Sequence, residues 1–298
     1  MEQSYVLYKY LGGFAALASA GAWAFGSLFL KKLGDEISPF GVNLGKCVIG
    51  CFYLGIILLL VGIKPVSNQA FWFLGLSGLL GITLGDTFFV KSLVYLGPRL
   101  ALLLGTLGPI ITVVLAVVFL KERPALLTWL GIFITIIGVS WVIWERSSKQ
   151  GTDKNRALGI KYGLLSTFCS SVAIIFAKVG VANVSALQAT FIRLAWGGIA
   201  LVFWGIANRR LKNWMNPYRD IRLLKLAFFC VFIGIFGGFF LFLFSLKYIG
   251  ASSATTLNCT TPLFILPIAA FALKEKITLR IIAGTVIAVF GVILIFAG

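Results

Sequence analysis

Asp86 is the one acidic residue that lies well inside an apolar stretch of this 298-residue sequence. A carboxylate placed there is costly, and intramembrane carboxylates mark functional or pairing sites. Lys46 lies in the first turns of the preceding apolar stretch, at a similar depth, and Lys91 is also within reach of Asp86. Two roles follow for a Lys46–Asp86 pair. It locks two helices together, or Asp86 carries a proton or cation. Burial favours the neutral acid and a nearby ammonium favours the carboxylate, so the basic neighbour favours the lock. Arg193 sits in an apolar stretch with no acid near it in sequence. Its guanidinium needs backbone carbonyls, water or an anionic ligand such as a substrate carboxylate. Lys178, at the end of its stretch, reads as a snorkelling side chain. A further polar run holds Ser252, Ser253, Thr255, Thr256, Asn258, Thr260 and Thr261, then Pro262. Thr255, Asn258 and Thr261 recur at three-residue spacing, which sets them on one helix face. The matching run earlier in the chain has Gly105, Thr106 and Gly108 before Pro109. Proline in a spanning helix frees a carbonyl that needs a new partner. Kinks at Pro109 and Pro262 beside hydroxyl groups would suit a wet cavity, the alternative being hydrogen bonds between helices.

Other chemistry is poorly served. The chain has no histidine, which removes the commonest general base and metal ligand. Five cysteines all fall in apolar stretches; Cys47 and Cys51 share a helix face but have no Cys or Met cluster around them. Neither a carboxylate pair nor a nucleophile–base arrangement is discernible. The expectation is a protein that is not an enzyme and needs no cofactor or metal. The formal net charge of +17 comes from bases that mostly punctuate apolar stretches, so it reads as topology and lipid contact, not nucleic-acid binding.

The elements that position these residues are membrane spans. Sixty per cent of residues are hydrophobic and only 12% charged, against roughly a quarter charged in a soluble domain. A span needs about 20 apolar residues. Ten stretches qualify: Gly12–Leu30, Phe40–Gly62, Ala70–Leu96, Leu100–Leu120, Leu126–Trp144, Leu158–Val179, Ala186–Ala207, Leu224–Ile249, Ser252–Leu273 and Ile277–Ala297. Ala18-Ser19-Ala20 resembles a signal-peptide cleavage site, but the first stretch continues to Leu30 and has a counterpart mid-chain. Trp129, Trp144 and Trp214 fall near span ends and read as interface anchors, whereas Trp23 is mid-span and a cavity candidate.

The chain repeats itself. Shifting by 147 residues lays Ser19 on Ser166, Lys31 on Lys178, Ser38 on Ser185, Lys46 on Arg193 and Gly50 on Gly197. Shifting by 153 lays Gly81 and Gly85 on Gly234 and Gly238, Pro109 on Pro262, and Lys121-Glu122 on Lys274-Glu275. Phe239 then stands where the first half has Asp86. The fold expected is an all-α integral membrane protein of ten transmembrane helices in two inverted five-helix repeats: residues 1–144, a polar linker 145–157, and residues 158–298. An odd number of spans per repeat inverts the second relative to the first, a transporter hallmark.

These residues resemble the EamA family of the drug/metabolite transporter superfamily. The first span carries Ala22-Trp23-Ala24-Phe25-Gly26-Ser27-Leu28-Phe29 followed by Lys31, and the second a basic residue near its start, Lys46. The third ends in Ser92-Leu93-Val94-Tyr95; the fourth holds Pro109, then come Lys121-Glu122, Gly131 and Gly138. The second half repeats the order, with Ser170 in place of Trp23. The resemblance implies a ten-helix carrier with a central cavity, moving amino acids, metabolites or drugs, often outward. Trp23, Thr106, Ser170, Arg193, Thr255, Asn258 and Thr261 are the cavity candidates. Lys46 and Asp86 are the lock or coupling candidates. The function expected is secondary transport of a small amphipathic metabolite by alternating access, in the plasma (bacterial inner) membrane, as a multi-pass monomer or homodimer, with proton coupling as an open option. A membrane scaffold or a lipid-modifying enzyme is the alternative.

Orientation divides the two lines of reasoning. The face bearing the termini carries five basic residues, Lys9, Lys64, Lys121, Arg123 and Lys247, and the opposite face fifteen. The positive-inside rule puts the richer face in the cytoplasm and the termini outside. The family resemblance implies cytoplasmic termini.

Overall fold

Backbone groups in hydrocarbon must pair within their own segment, and an apolar chain such as this one answers with helices. The computed structural model describes residues 2–105, 107–147, 154–261, 263–265, 267–268 and 278–297. In chain order these form α1 (Glu2–Glu36), α2 (Pro39–Val61), α3 (Asn68–Pro98), α4 (Gly108–Leu120), α5 (Leu126–Ser147), α6 (Lys154–Val181), α7 (Ala186–Ala207), α8 (Ile221–Tyr248), α9 (Ala251–Asn258) and α10 (Leu279–Ala297). Six of them, α1, α2, α3, α6, α7 and α8, are long and apolar enough to cross a membrane; Gly108–Leu120, Leu126–Trp141 and Ile282–Ile295 are shorter apolar helices. Part of the expected ninth span, with Pro262, lies outside the described residues, as does Thr106. Helices α5 and α6 run into the expected linker. The lipid-facing surface is a belt of side chains such as Leu59, Leu60 and Phe133.

The two halves use the same local devices. Ser38 accepts from the Gly41 N–H at the start of α2, and Ser185 accepts from the Gln188 N–H at the start of α7. Both are N-caps that pair an orphan donor. Ser67 and Asp220 cap α3 and α8 in the same manner. Each of α3 and α8 then contains a π-helical stretch, Gly78–Asp86 and Ile233–Phe240, a local widening that is frequent at functional sites. Helix α3 ends at Gly97, whose φ of 76° suits glycine. A short helical arm, 98–105, follows before α4 begins. Pro109 sits in the first turn of α4, where its missing N–H costs nothing. The disturbance expected at Pro109 as a kink is a break between two helical pieces.

Tertiary contacts repeat with the same offsets. The Ser19 hydroxyl donates to the Gly238 carbonyl at 2.9 Å, and the Ser166 hydroxyl to the Gly85 carbonyl at 2.8 Å. Gly12 packs on Tyr248 and Ile249, and Gly159 on Tyr95 and Leu96. Trp23 lies against Gly238 as Ser170 lies against Gly85. Helices α5 and α10 meet through Gly138 and Gly291, where a Cβ would come within 2.5 Å of the Ala288 and Thr135 backbone nitrogens respectively. Close backbone approach of this kind holds helices together where lipid offers no hydrophobic drive.

Trp214 departs from its expected place at the interface. The basic stretch after α7 folds into a short helix, Leu211–Met215, and a turn, Asn216–Arg219. These tuck Trp214 into the core, stacked on Phe40 at 5.1 Å, and the Tyr218 hydroxyl donates to the Gly41 carbonyl at 3.0 Å. The polar composition of the stretch concealed a plug beneath α2 and α7.

Replacing Gly138 by Val should lower the thermal unfolding midpoint in detergent, with an overpacking cost of about 1–3 kcal/mol or more. Gly55→Ala, whose Cβ would meet only Phe191 at 3.8 Å, should leave it unchanged. Equal behaviour of the two variants would contradict the packing described.

Candidate functional site

A cavity of about 220 Å³ opens between the two halves. Of the residues expected to line one, Trp23, Ser170, Arg193, Thr255, Asn258 and Thr261 all do, together with Asp86 and Pro109. Lys46 stands behind Asp86, in a smaller adjoining recess that also touches Trp23 and Phe239. Helices α1, α2, α3, α4, α6, α7, α8 and α9 bring these side chains together from both repeats.

The Lys46 ammonium hydrogen-bonds the Asp86 carboxylate, linking α2 to the π-helical stretch of α3. Both side chains are largely buried, 11% and 18% exposed. Lys91 takes no part in this pair. It lies over the rings of Tyr162, Phe40 and Phe88, 4.7 to 5.9 Å from their centroids. Beside the ion pair, Asn43 donates to the Ile82 carbonyl and to Thr87. The wider π turn leaves α3 carbonyls to be satisfied from outside, and Asn43 supplies a donor.

Arg193 is 5% exposed. Among the described residues its guanidinium makes no hydrogen bond or ion pair, and its Nε is enclosed without a partner. Gly81 leaves room for it: a Cβ there would sit 3.2 Å from one terminal nitrogen. The guanidinium faces the cavity and stands 6.0 Å from the centre of the Phe239 ring. Carbonyl bonding, one of the roles open to Arg193, belongs to Lys178 instead. Its ammonium donates to the Leu246 and Ile249 carbonyls at 2.5 and 2.7 Å.

Hydroxyls on α9 donate along their own helix, Thr255 to Ala251 and Thr261 to Asn258. Their lone pairs remain for the cavity. Asn258 donates to Ser19 at 2.8 Å, tying α9 to α1. A second hydroxyl face was missed by sequence reasoning, that of Ser166, Thr167 and Ser171 on α6. Thr167 donates to the Leu104 carbonyl and Ser171 to that of Gly108. They serve the backbone groups freed by the break before Pro109. The signal was available, since 166–171 is nearly as rich in Ser and Thr as the ninth span. Phe89 and Phe242, also missed, line the cavity from equivalent positions of α3 and α8.

The cavity is not symmetric. Ala101, Gly163 and Thr167 line it. Their counterparts in the other repeat are Ala254, Ala16 and Ala20, all 0% exposed. The lining therefore reaches toward the face opposite the termini at Ala101, Gly163 and Thr167, while the counterparts of these three residues are packed away from it.

A family model described as the EamA-like transporter family matches residues 10–144 and again 157–297. The chain belongs to the EamA-like transporter family. Among its relatives, an uncharacterized transporter of Archaeoglobus fulgidus is 24% identical over 281 residues, covering 94% of this chain and 96% of the relative. The uncharacterized transporter YyaM of Bacillus subtilis is 25% identical over 294 residues, covering 96% and 87%. A solved crystal structure with 14% identity superposes with a TM-score of 0.71 over 98% of this chain and 96% of that one, which speaks for the fold. The protein is thus a multi-pass transporter-family protein of the plasma membrane, and the doubled match of the EamA-like family falls on its two five-helix repeats.

Removing one partner of a buried ion pair leaves an uncompensated charge, typically at a cost of about 3–5 kcal/mol. Asp86→Asn and Lys46→Met should each lower the unfolding midpoint, and the double variant should recover most of the loss. A stable Asp86→Asn protein whose solute exchange merely loses its pH dependence would identify Asp86 as a proton site instead.

Proposed function

We propose that this protein is a secondary transporter that moves a small amphipathic metabolite by alternating access, in the outward direction, with amino acids and related compounds among the candidates. The observation that carries the reading is the pairing of repeated contacts with a one-sided cavity. Two packings related by an inverted repeat have similar energies, and the enclosed counterparts of Ala101, Gly163 and Thr167 support reading this arrangement as the one closed on the terminal face.

The closed side carries the contacts of a latch. Lys178 holds the carbonyl end of α8, and Glu122 accepts from the Ala251 N–H at 2.8 Å and from the Ser252 hydroxyl at 2.9 Å at the start of α9. Lys31, the counterpart of Lys178, is paired instead with Asp35 at the end of α1. In the opposite state Lys31 would take the carbonyls of Leu93 and Leu96, the counterparts of Leu246 and Ile249. Each lysine would thus hold carbonyls in one state and release them in the other. The fifteen-to-five bias of basic residues supports a cytoplasmic location for the open face, which suits loading for export.

Purified protein in liposomes should exchange such a solute saturably, and Lys178→Met should shift the balance of states and slow exchange. In cells, a thiol at Lys212→Cys should resist an impermeant reagent added outside. No flux above empty liposomes across a broad metabolite panel would favour the scaffold or lipid-modifying alternatives.

A further inference from the structure

We propose that a carboxylate is an obligatory part of the transported solute and that it binds Arg193, in the role that Asp86 fills for Lys46. The inference rests on the transport reading and names the chemical class that the same cavity takes.

Lys46 and Arg193 occupy equivalent positions, 147 residues apart, on α2 and α7. The partner position on the following helix is Asp86 in one repeat and Phe239 in the other, 153 residues apart. Lys46 therefore has its carboxylate within the protein, and Arg193 faces an aromatic ring. Phe239 lies between the two cations, with the Lys46 ammonium 5.1 Å from its ring centre. A ring quadrupole attracts a cation but does not neutralise it. The Lys46–Asp86 pair is neutral as a unit, so the Arg193 charge leaves the cavity wall with an excess positive charge. Asp86, already bonded to Lys46, attracts Arg193 only from a distance. A buried guanidinium with no carboxylate bonded to it strongly favours an anionic partner, and its planar fork matches a carboxylate.

The rest of the wall describes the body of the solute. Trp23 packs edge-on to Phe89 and Phe239, with centroids 6.4 and 5.0 Å apart. With Phe242 they form an apolar, aromatic surface. A small inorganic anion would use none of it. A volume of about 220 Å³ suits a compact organic acid with an apolar or aromatic body. The Thr255, Thr261 and Asn258 oxygens can accept from an amine or hydroxyl on it, so amino acids fall within the class, but an amine without an acid does not.

The test uses matched probes on the purified full chain in detergent: phenylacetate against phenylacetamide, indole-3-acetate against indole-3-acetamide, and phenylalanine against phenethylamine, scored by thermal shift and titration. The carboxylates should bind and their amide or amine partners should bind at least about tenfold more weakly, the scale of a hydrogen bond to a charged group. Arg193→Gln should abolish the difference, and Arg193→Lys should keep part of it. The comparison of probes on the unaltered chain stands even where Arg193→Gln fails to fold. Equal affinity within each pair, a carboxylate preference that survives in folded Arg193→Gln, or no response to any carboxylate would each overturn the proposal. Saturable flux of a neutral or cationic solute, unaffected by Arg193→Gln, would overturn it while leaving the transport reading intact. Absence of flux for every solute class would remove that reading itself.

Discussion

A positive charge buried in a membrane has to be neutralised, and this chain buries two at equivalent places. The cost of leaving such a charge alone is several kcal/mol, enough to dominate the marginal stability of a domain of this size. Lys46 meets the requirement with Asp86, which fixes α2 against the π-helical stretch of α3. That fixed wall is one side of the cavity. Arg193 meets it only in part, through the Phe239 ring. The residual charge sits at the cavity, where residues of both repeats meet. The binding requirement and the structural requirement thus have one physical origin.

The hydrogen bonds around the cavity follow a related constraint. Every break in a spanning helix releases carbonyls, and hydroxyl groups serve three of the described breaks. Ser166 and Ser19 serve the π-helical stretches of α3 and α8, while Thr167 and Ser171 serve the interrupted stretch before α4. Hydroxyl donors are small and neutral, so they satisfy a carbonyl without adding a charge that would need its own partner. The bonds between helices are individually weak, typically below about 1 kcal/mol. The same weak bonds are made twice, at related sites of the two repeats.

Much of this was legible in the sequence because it was written twice. Serine, glycine and lysine positions match under fixed offsets, and matching polar positions report shared geometry where shared hydrophobicity would not. Depth made Lys46 a partner for Asp86 but left Lys91 open, and the structure puts Lys91 over aromatic rings instead. Other features depend on packing between distant segments. The enclosure of Arg193 requires Gly81 of α3 to pass beside α7, which no local pattern discloses. Trp214 looked like an interface anchor because its neighbours are charged, but the short helix around it turns that ring inward against Phe40. The unequal lining of the cavity by the two repeats is likewise a matter of packing, which matching sequence positions do not disclose.

The most direct test of alternating access compares two equivalent alanines. Ala101 lines the open cavity, and Ala254, its counterpart, is fully buried on the sealed side. Single Ala101→Cys and Ala254→Cys substitutions, on a chain with its five native cysteines replaced, can be followed by reaction with an impermeant thiol reagent in proteoliposomes. The account predicts opposite responses: a transported solute or a shift in its gradient protects one thiol as it exposes the other. A chain that transports while the Ala254→Cys thiol never reacts, or in which both thiols respond together, would contradict it.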